Sequence, residues 1–100
     1  MPSSTFTMRS RVWRDKEVEG WHFVTLPARQ SAEIHRRFGS TQKTPRPIPV
    51  VATVGRTSWK SSLYRIPNSG RYVLALKADV RKKEKIEADR VIAYSVKIAS

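Results

Sequence analysis

Two groups of side chains in this 100-residue chain have the types that carry chemistry, and they point in different directions. The first group is nucleophiles and bases: the adjacent hydroxyls Ser61 and Ser62, and the two histidines His22 and His35. An imidazole serves as a base or metal ligand only where a second group is spaced to meet it, and His35 is followed by Arg36 and Arg37, with no ligand spacing around either histidine. The acids Asp15, Glu17 and Glu19 alternate along one strand end, and Asp79, Glu84, Glu87 and Asp89 interleave with Arg81, Lys82, Lys83 and Lys85. Both patterns read as solvated, salt-bridging faces. No G-x-S-x-G elbow, Gly-rich phosphate loop, H-E-x-x-H or calcium-loop pattern occurs. The sequence names no catalytic, metal-ligating or cofactor-binding residue, and no cofactor is expected.

The second group is cations beside aromatic rings. Arg9 and Arg11 share a strand parity with Trp13, and Arg56 and Lys60 flank a tight turn beside Trp59. Arg71 and Arg81 extend the set. Cations that follow a phosphate backbone, interleaved with rings that stack on bases, are how small β-barrels hold single strands. The charge balance agrees: 20 Lys and Arg against 8 Asp and Glu leave +12. The excess is concentrated between residues 20 and 76, where nine bases face Glu33 alone. Such a field attracts polyanions at long range, which makes nucleic acid the leading partner class.

The length fits one domain spanning residues 1–100, with one modest core. Zero cysteines exclude a disulfide framework and a thiolate nucleophile. No apolar run approaches the roughly 18 residues of a membrane span, and Met1-Pro2-Ser3-Ser4 lacks a signal pattern. A cytoplasmic protein with no membrane partner is expected.

The periodicity that must position these residues is mostly two. Strands are predicted over residues 5 to 16, 21 to 26, 48 to 54, 58 to 66, 72 to 76 and 90 to 98. Residues 21 to 26 are apolar on both parities, which predicts a central strand. Pro27 opens a helix over 28 to 38 in which Ile34 and Phe38 are spaced i, i+4, with Gly39 as its stop, and a shorter helix over 78 to 85 turns Val80 inward. The polar, Pro-punctuated residues 40 to 47 read as an exposed connector, the expected mobile segment. Turn chemistry lies at Gly55-Arg56 and at Pro67-Asn68-Ser69-Gly70. No repeat of about 20 to 50 residues is legible. The sum is a mainly β protein, a small closed or double-split β-barrel of about six strands with two short helices. Trp21, Phe23, Trp59, Leu63, Tyr72, Leu74 and Leu76 are predicted core; were Trp13 also buried, the stacking half of the nucleic-acid reading would vanish.

The ordered series Trp21-His22-Phe23-Val24-Thr25-Leu26-Pro27, Val54-Gly55, Trp59-Lys60-Ser61-Ser62-Leu63, Gly70-Arg71-Tyr72-Val73-Leu74-Ala75-Leu76-Lys77 and Val80-Arg81-Lys82 resembles a family of small bacterial domains, domain-of-unknown-function family nineteen-oh-five. The resemblance runs from about Phe6 to Ile98. It implies a double-split β-barrel, a fold shared with AbrB-type domains, and no activity. One departure is Ala88-Asp89-Arg90-Val91, where the family pattern is Gly-Asp-x-Val. Arg81-Lys82-Lys83 with Lys85 is similar to the Arg-Lys-rich segment of AbrB-type domains, a fold-level analogy. Those bind as swapped dimers; a chain carrying both halves of the barrel is expected to be a monomer.

The leading expectation is a non-catalytic binding module for nucleic acid, with Arg9, Arg11, Arg56, Lys60, Arg71 and Arg81 as the candidate contacts. Two alternatives are a protein or small-ligand interaction module whose basicity is incidental, and an enzyme whose site assembles in space in a closed pocket around His22 or Ser61.

Overall fold

In the computed structural model, which describes residues 4–17, 20–39 and 47–98, six antiparallel strands close into a barrel. The strands are β1 (Thr5–Arg14), β2 (His22–Thr25), β3 (Ile48–Val54), β4 (Thr57–Arg65), β5 (Tyr72–Leu76) and β6 (Val91–Ile98), in the spatial order β1-β2-β5-β4-β3-β6 and back to β1. Two short helices, α1 (Ala28–Ile34) and α2 (Ala78–Glu84), follow β2 and β5. Glu19 and all of the expected connector except Pro47 lie outside the described residues.

Alternation along each strand decides what is inside. One parity carries Phe6, Met8 and Val12 from β1, Val24 from β2, Val50 and Ala52 from β3, Trp59 and Leu63 from β4, Tyr72, Leu74 and Leu76 from β5, and Tyr94, Val96 and Ile98 from β6 into a single core. The two ends of the barrel are stopped by the helices. At one end α1 supplies Ile34 and the fully buried Ser31, whose hydroxyl donates to the Leu26 carbonyl (3.2 Å) and accepts from the Tyr72 amide (3.2 Å), so a polar group is buried without loss. At the other, α2 and the loop after it supply Val80 and Ile86.

The first helix is shorter than its sequence pattern. After Ile34 the chain widens into a π-helical turn, His35–Gly39. There Phe38 meets Phe6 edge-on at 6.4 Å, and the Arg37 guanidinium lies over both rings while 3.6 Å from Glu33. Turns behave as their residues require. Gly55 has φ +57°, and a Cβ there would collide with the Glu84 carboxylate, which accepts a hydrogen bond from Thr57 (2.7 Å) and ties α2 to the β3–β4 hairpin. At Ala88-Asp89, where a glycine is missing from the expected pattern, Asp89 itself takes the left-handed conformation (φ +71°), which Asp tolerates better than most residues.

Although no repeat is legible in the sequence, the architecture is two-fold. β1-β2-α1-β3 and β4-β5-α2-β6 have the same order, β1 pairs with β2 and β6 as β4 pairs with β5 and β3, and β2 pairs with β5 across the pseudo-axis. Setting the start of α1 on that of α2 places Val24 on Leu74, Val12 on Leu63, Ser10 on Ser61, Trp13 on Tyr64 and Arg9 on Lys60. The side chains differ while the pairing is the same.

Inside one half, Ser10 donates its single hydroxyl proton to the Thr25 carbonyl (2.9 Å), so the Tyr94 phenol, 2.8 Å away, donates to Ser10. Burial pushes Tyr94 up to about 12, against opposing pulls from the Ser10 hydroxyl, which must turn from Thr25 to serve a phenolate, and from Arg71. An unfolded tyrosine ionises near 10. Between the two values the unfolded state releases the proton first, so stability present below pH 10 is lost as pH rises toward 12. Urea titrations over that range should show wild type losing about 2–3 kcal/mol more than Tyr94→Phe; equal losses would place the phenol in water.

Candidate nucleic-acid interface

The curvature of the barrel splits its outer surface into two faces. β1 and β4 are long and each serves two neighbourhoods: the first parts of both pair with β6 and β3, and the last parts with β2 and β5. Over β6 and β3 the outer face is hydroxyl-rich and basic. Thr7, Ser95, Thr53 and Ser58 form one cross-strand row, with Thr53 and Ser58 hydroxyls 2.8 Å apart, and Thr5, Lys97, Val51 and Lys60 form the next. Over β2 and β5 it is aromatic and apolar.

The aromatic face is built by β2. Its outward residue Phe23 pairs with Trp13 of β1 on one side and Ala75 of β5 on the other. Trp13 stacks on Phe23 at 4.8 Å with 27° between planes, and Trp21 leans on Phe23 at 5.8 Å and 34°. The Trp13 indole N–H donates to the Thr25 hydroxyl at 2.9 Å, which fixes the ring against the sheet. Trp13 is 37 % exposed and Trp21 53 %; across the face, Tyr64 of β4 is 51 % exposed.

The predicted contacts separate into three sets. Arg9 and Arg11 are exposed on the outer side of β1, on the same parity as Trp13, and Arg11 reaches toward the Asp89 carbonyl at 3.5 Å. Lys60 is exposed on the outer side of β4 and Arg56 at the hairpin tip, separated from β1 by β6 and β3. Arg71 and Arg81 are committed to the scaffold. Arg71 Nε donates to the Leu26 carbonyl (3.1 Å), while Arg81 donates from Nε to Leu76 (3.2 Å) and from Nη2 to Gly20 (2.8 Å). Each guanidinium satisfies carbonyls at or just beyond a strand end, where the ladder runs out.

Three readings of side-chain position need correction. Trp59 is 9 % exposed and inside the barrel, as its core assignment predicts, with its indole N–H unpartnered, so it is not a stacking ring beside Arg56 and Lys60 at that turn. Trp21, expected in the core, is outside, and Phe23 belongs to the outer face. A β2 apolar on both parities signals this once closure is known, because a barrel has one inside and the other parity must face out. Ser61 and Ser62 are not a hydroxyl pair, since neighbours in a strand point to opposite faces.

The histidines are at opposite ends. The His35 Nδ1 lies 3.3 Å from the Tyr72 hydroxyl at the α1 end. Tyr72 is pushed up by burial, with Arg65 pulling the other way. The His22 Nδ1 meets the Gly20 carbonyl at 3.0 Å; a carbonyl only accepts, so Nδ1 carries the proton and Nε2 remains for other partners. His22 and Ser61 do line one recess, together with Trp21, Tyr64, Ala75, Leu76, Lys77 and Arg81, but it is an open cleft of about 480 Å³ and not a closed pocket. A broader hollow beside Trp13, Arg14 and Lys16 is also edged by Asp15, Glu17 and Asp89, a mixture of signs unsuited to a polyanion. Among the described residues no three His, Asp or Glu side chains converge as a metal site would need.

The model of one protein family, the domain of unknown function DUF1905, matches residues 9–96. The chain belongs to that family. No curated protein matches it. The matched span of this DUF1905 domain contains the whole aromatic face and both committed arginines, and the family assigns no activity to either. Among the described residues no helix is long and apolar enough to cross a membrane.

Because Arg81 holds two carbonyls, Arg81→Met should cost about 1–3 kcal/mol in urea unfolding, whereas Arg9→Ser leaves the midpoint where it was. An unshifted midpoint for Arg81→Met would make that guanidinium a surface group after all.

Proposed function

We propose that this domain is a non-catalytic binding module for single-stranded nucleic acid, held on the outer face of β1 and β2. The observation that carries the reading is the run Trp13, Phe23 and Trp21: three rings in mutual contact, two of them well exposed, on the outside of a chain of charge +12. A sheet gains nothing in its own core from rings turned outward. Unstacked bases gain from them, because every base has a π-face, and the cations Arg9 and Arg11 stand on the same side of β1 to meet the phosphates. Duplexes hide their base faces, which favours the single strand. One chain supplies the whole face, and the module acts as a monomer.

A second reading has one observation of its own. Val73 and Ala75 continue the apolar face toward Tyr64, which would also suit a protein partner.

Fluorescence anisotropy with labelled single-stranded DNA, RNA and duplex at two salt concentrations separates these. Single strands should bind more tightly than duplex, with a log-log salt slope of about −0.7 per contacted phosphate. Trp13→Ala and Trp21→Ala should each weaken binding by about 1–3 kcal/mol, roughly 5- to 150-fold, with circular dichroism unchanged. Binding that ignores both tryptophans and vanishes at physiological salt would overturn the proposal in favour of a protein partner.

A further inference from the structure

The pseudo-two-fold relation puts two structurally equivalent openings in the barrel wall. β1 and β2 part beyond Val12↔Val24, and β4 and β5 part beyond Leu63↔Leu74. The first opening is sealed from within. Ser10 bonds the Thr25 carbonyl and Tyr94, and Arg71 bonds the Leu26 carbonyl. In the second, the equivalent of Ser10 is Ser61, but Ala52 stands where Tyr94 stands and Trp21 where Arg71 stands. Nothing among the described residues hydrogen-bonds the Ser61 hydroxyl. The Leu76 carbonyl, equivalent to that of Leu26, is held by Arg81 Nε (3.2 Å) instead, but the inner Ser–Tyr part of the seal has no counterpart, and the cleft of about 480 Å³ occupies its place.

We infer that this β4/β5 cleft receives one unstacked nucleobase with its 5′-phosphate, an inference that rests on the single-strand reading above. The lining meets each part of such a ligand. Trp21 and Tyr64 line it together with Ala75, Leu76 and Ala78, aromatic and apolar side chains suited to a planar ring. The Ser61 hydroxyl donates and accepts, and His22 Nε2 is left to the cleft once Nδ1 is committed to Gly20, so two groups are available to a base edge. Lys77 lines the cleft for the phosphate, and Arg81, its Nε and Nη2 pinned by two carbonyls, holds its charge there in a fixed position. Trp21 also touches Phe23, so the cleft is continuous with the stacking face and a strand lying on Trp13 and Phe23 can turn one base inward.

Two-dimensional amide and aromatic NMR with adenosine, cytidine, guanosine and uridine 5′-monophosphates tests this, with ribose 5-phosphate and inorganic phosphate as controls. At least one nucleotide should shift the signals of His22, Ser61, Tyr64 and Lys77 at millimolar concentration while the two ring-free phosphates do not. Ser61→Leu, which fills the cleft as Tyr94 fills its twin, should weaken that nucleotide at least tenfold, and Trp21→Phe should retain it, since a ring remains. Shifts confined to the Lys60–Lys97 face, or equal binding of ribose 5-phosphate, overturn the cleft assignment. If oligonucleotides bind in the anisotropy experiment while no mononucleotide moves these signals, the cleft inference fails and the stacking face stands; if neither binds, both fall.

Discussion

Closure of the six-stranded ring is the constraint on which the rest depends. A closed barrel has no free edge, so every strand has two neighbours, and it has a single interior, so only one parity of each strand can be covered. The ends are the remaining weakness, and the chain spends its two short helices there. The polar groups that closure traps are paired: the Ser31 hydroxyl between Leu26 and Tyr72, and the Tyr94 phenol on Ser10. The Trp59 indole N–H is the exception among the described side chains.

The same constraint generates the candidate site. Since no described element is packed over the outer parity of β2, an apolar outward residue there is exposed unless another outward residue shields it. Phe23 is shielded by Trp13 and Trp21, and those two rings take the exposure instead. The stack is held to the sheet by the Trp13 bond to Thr25. Rings placed this way are rigid and already in contact, which lowers the ordering cost of any ligand that stacks on them.

Charge is used in two ways that composition cannot distinguish. Arg71 and Arg81 work inside the architecture, where the planar guanidinium fork reaches carbonyls that strands have left behind. Arg9, Arg11, Arg56, Lys60 and Lys97 stand outside and set the long-range field. The pseudo-two-fold pairing shows how the halves differ: Ser10, Tyr94 and Arg71 seal one opening, and Ser61, Ala52 and Trp21, with Arg81 on the Leu76 carbonyl, leave the other as a cleft.

Most strand and helix positions were legible in the sequence because period-two alternation and Gly or Pro turns are local signals; β5 falls on residues 72–76 as its pattern predicts, and β3 on 48–54. The helix over residues 28 to 38 was half legible, since i, i+4 spacing cannot distinguish an α turn from the π turn that brings Phe38 to Phe6. The aromatic site was legible in part: Trp13 beside Arg9 and Arg11 could be read from parity and Trp59 is in the core as expected, while Trp21, also expected there, is outside. By itself the sequence determined the elements, the β class, the family and the charge, because those depend on residue order within a few positions and on composition. Tertiary structure alone decided which parity faces in, which arginines are bound to carbonyls and which of two equivalent openings is sealed, because each depends on partners distant in sequence that only closure of the barrel brings together.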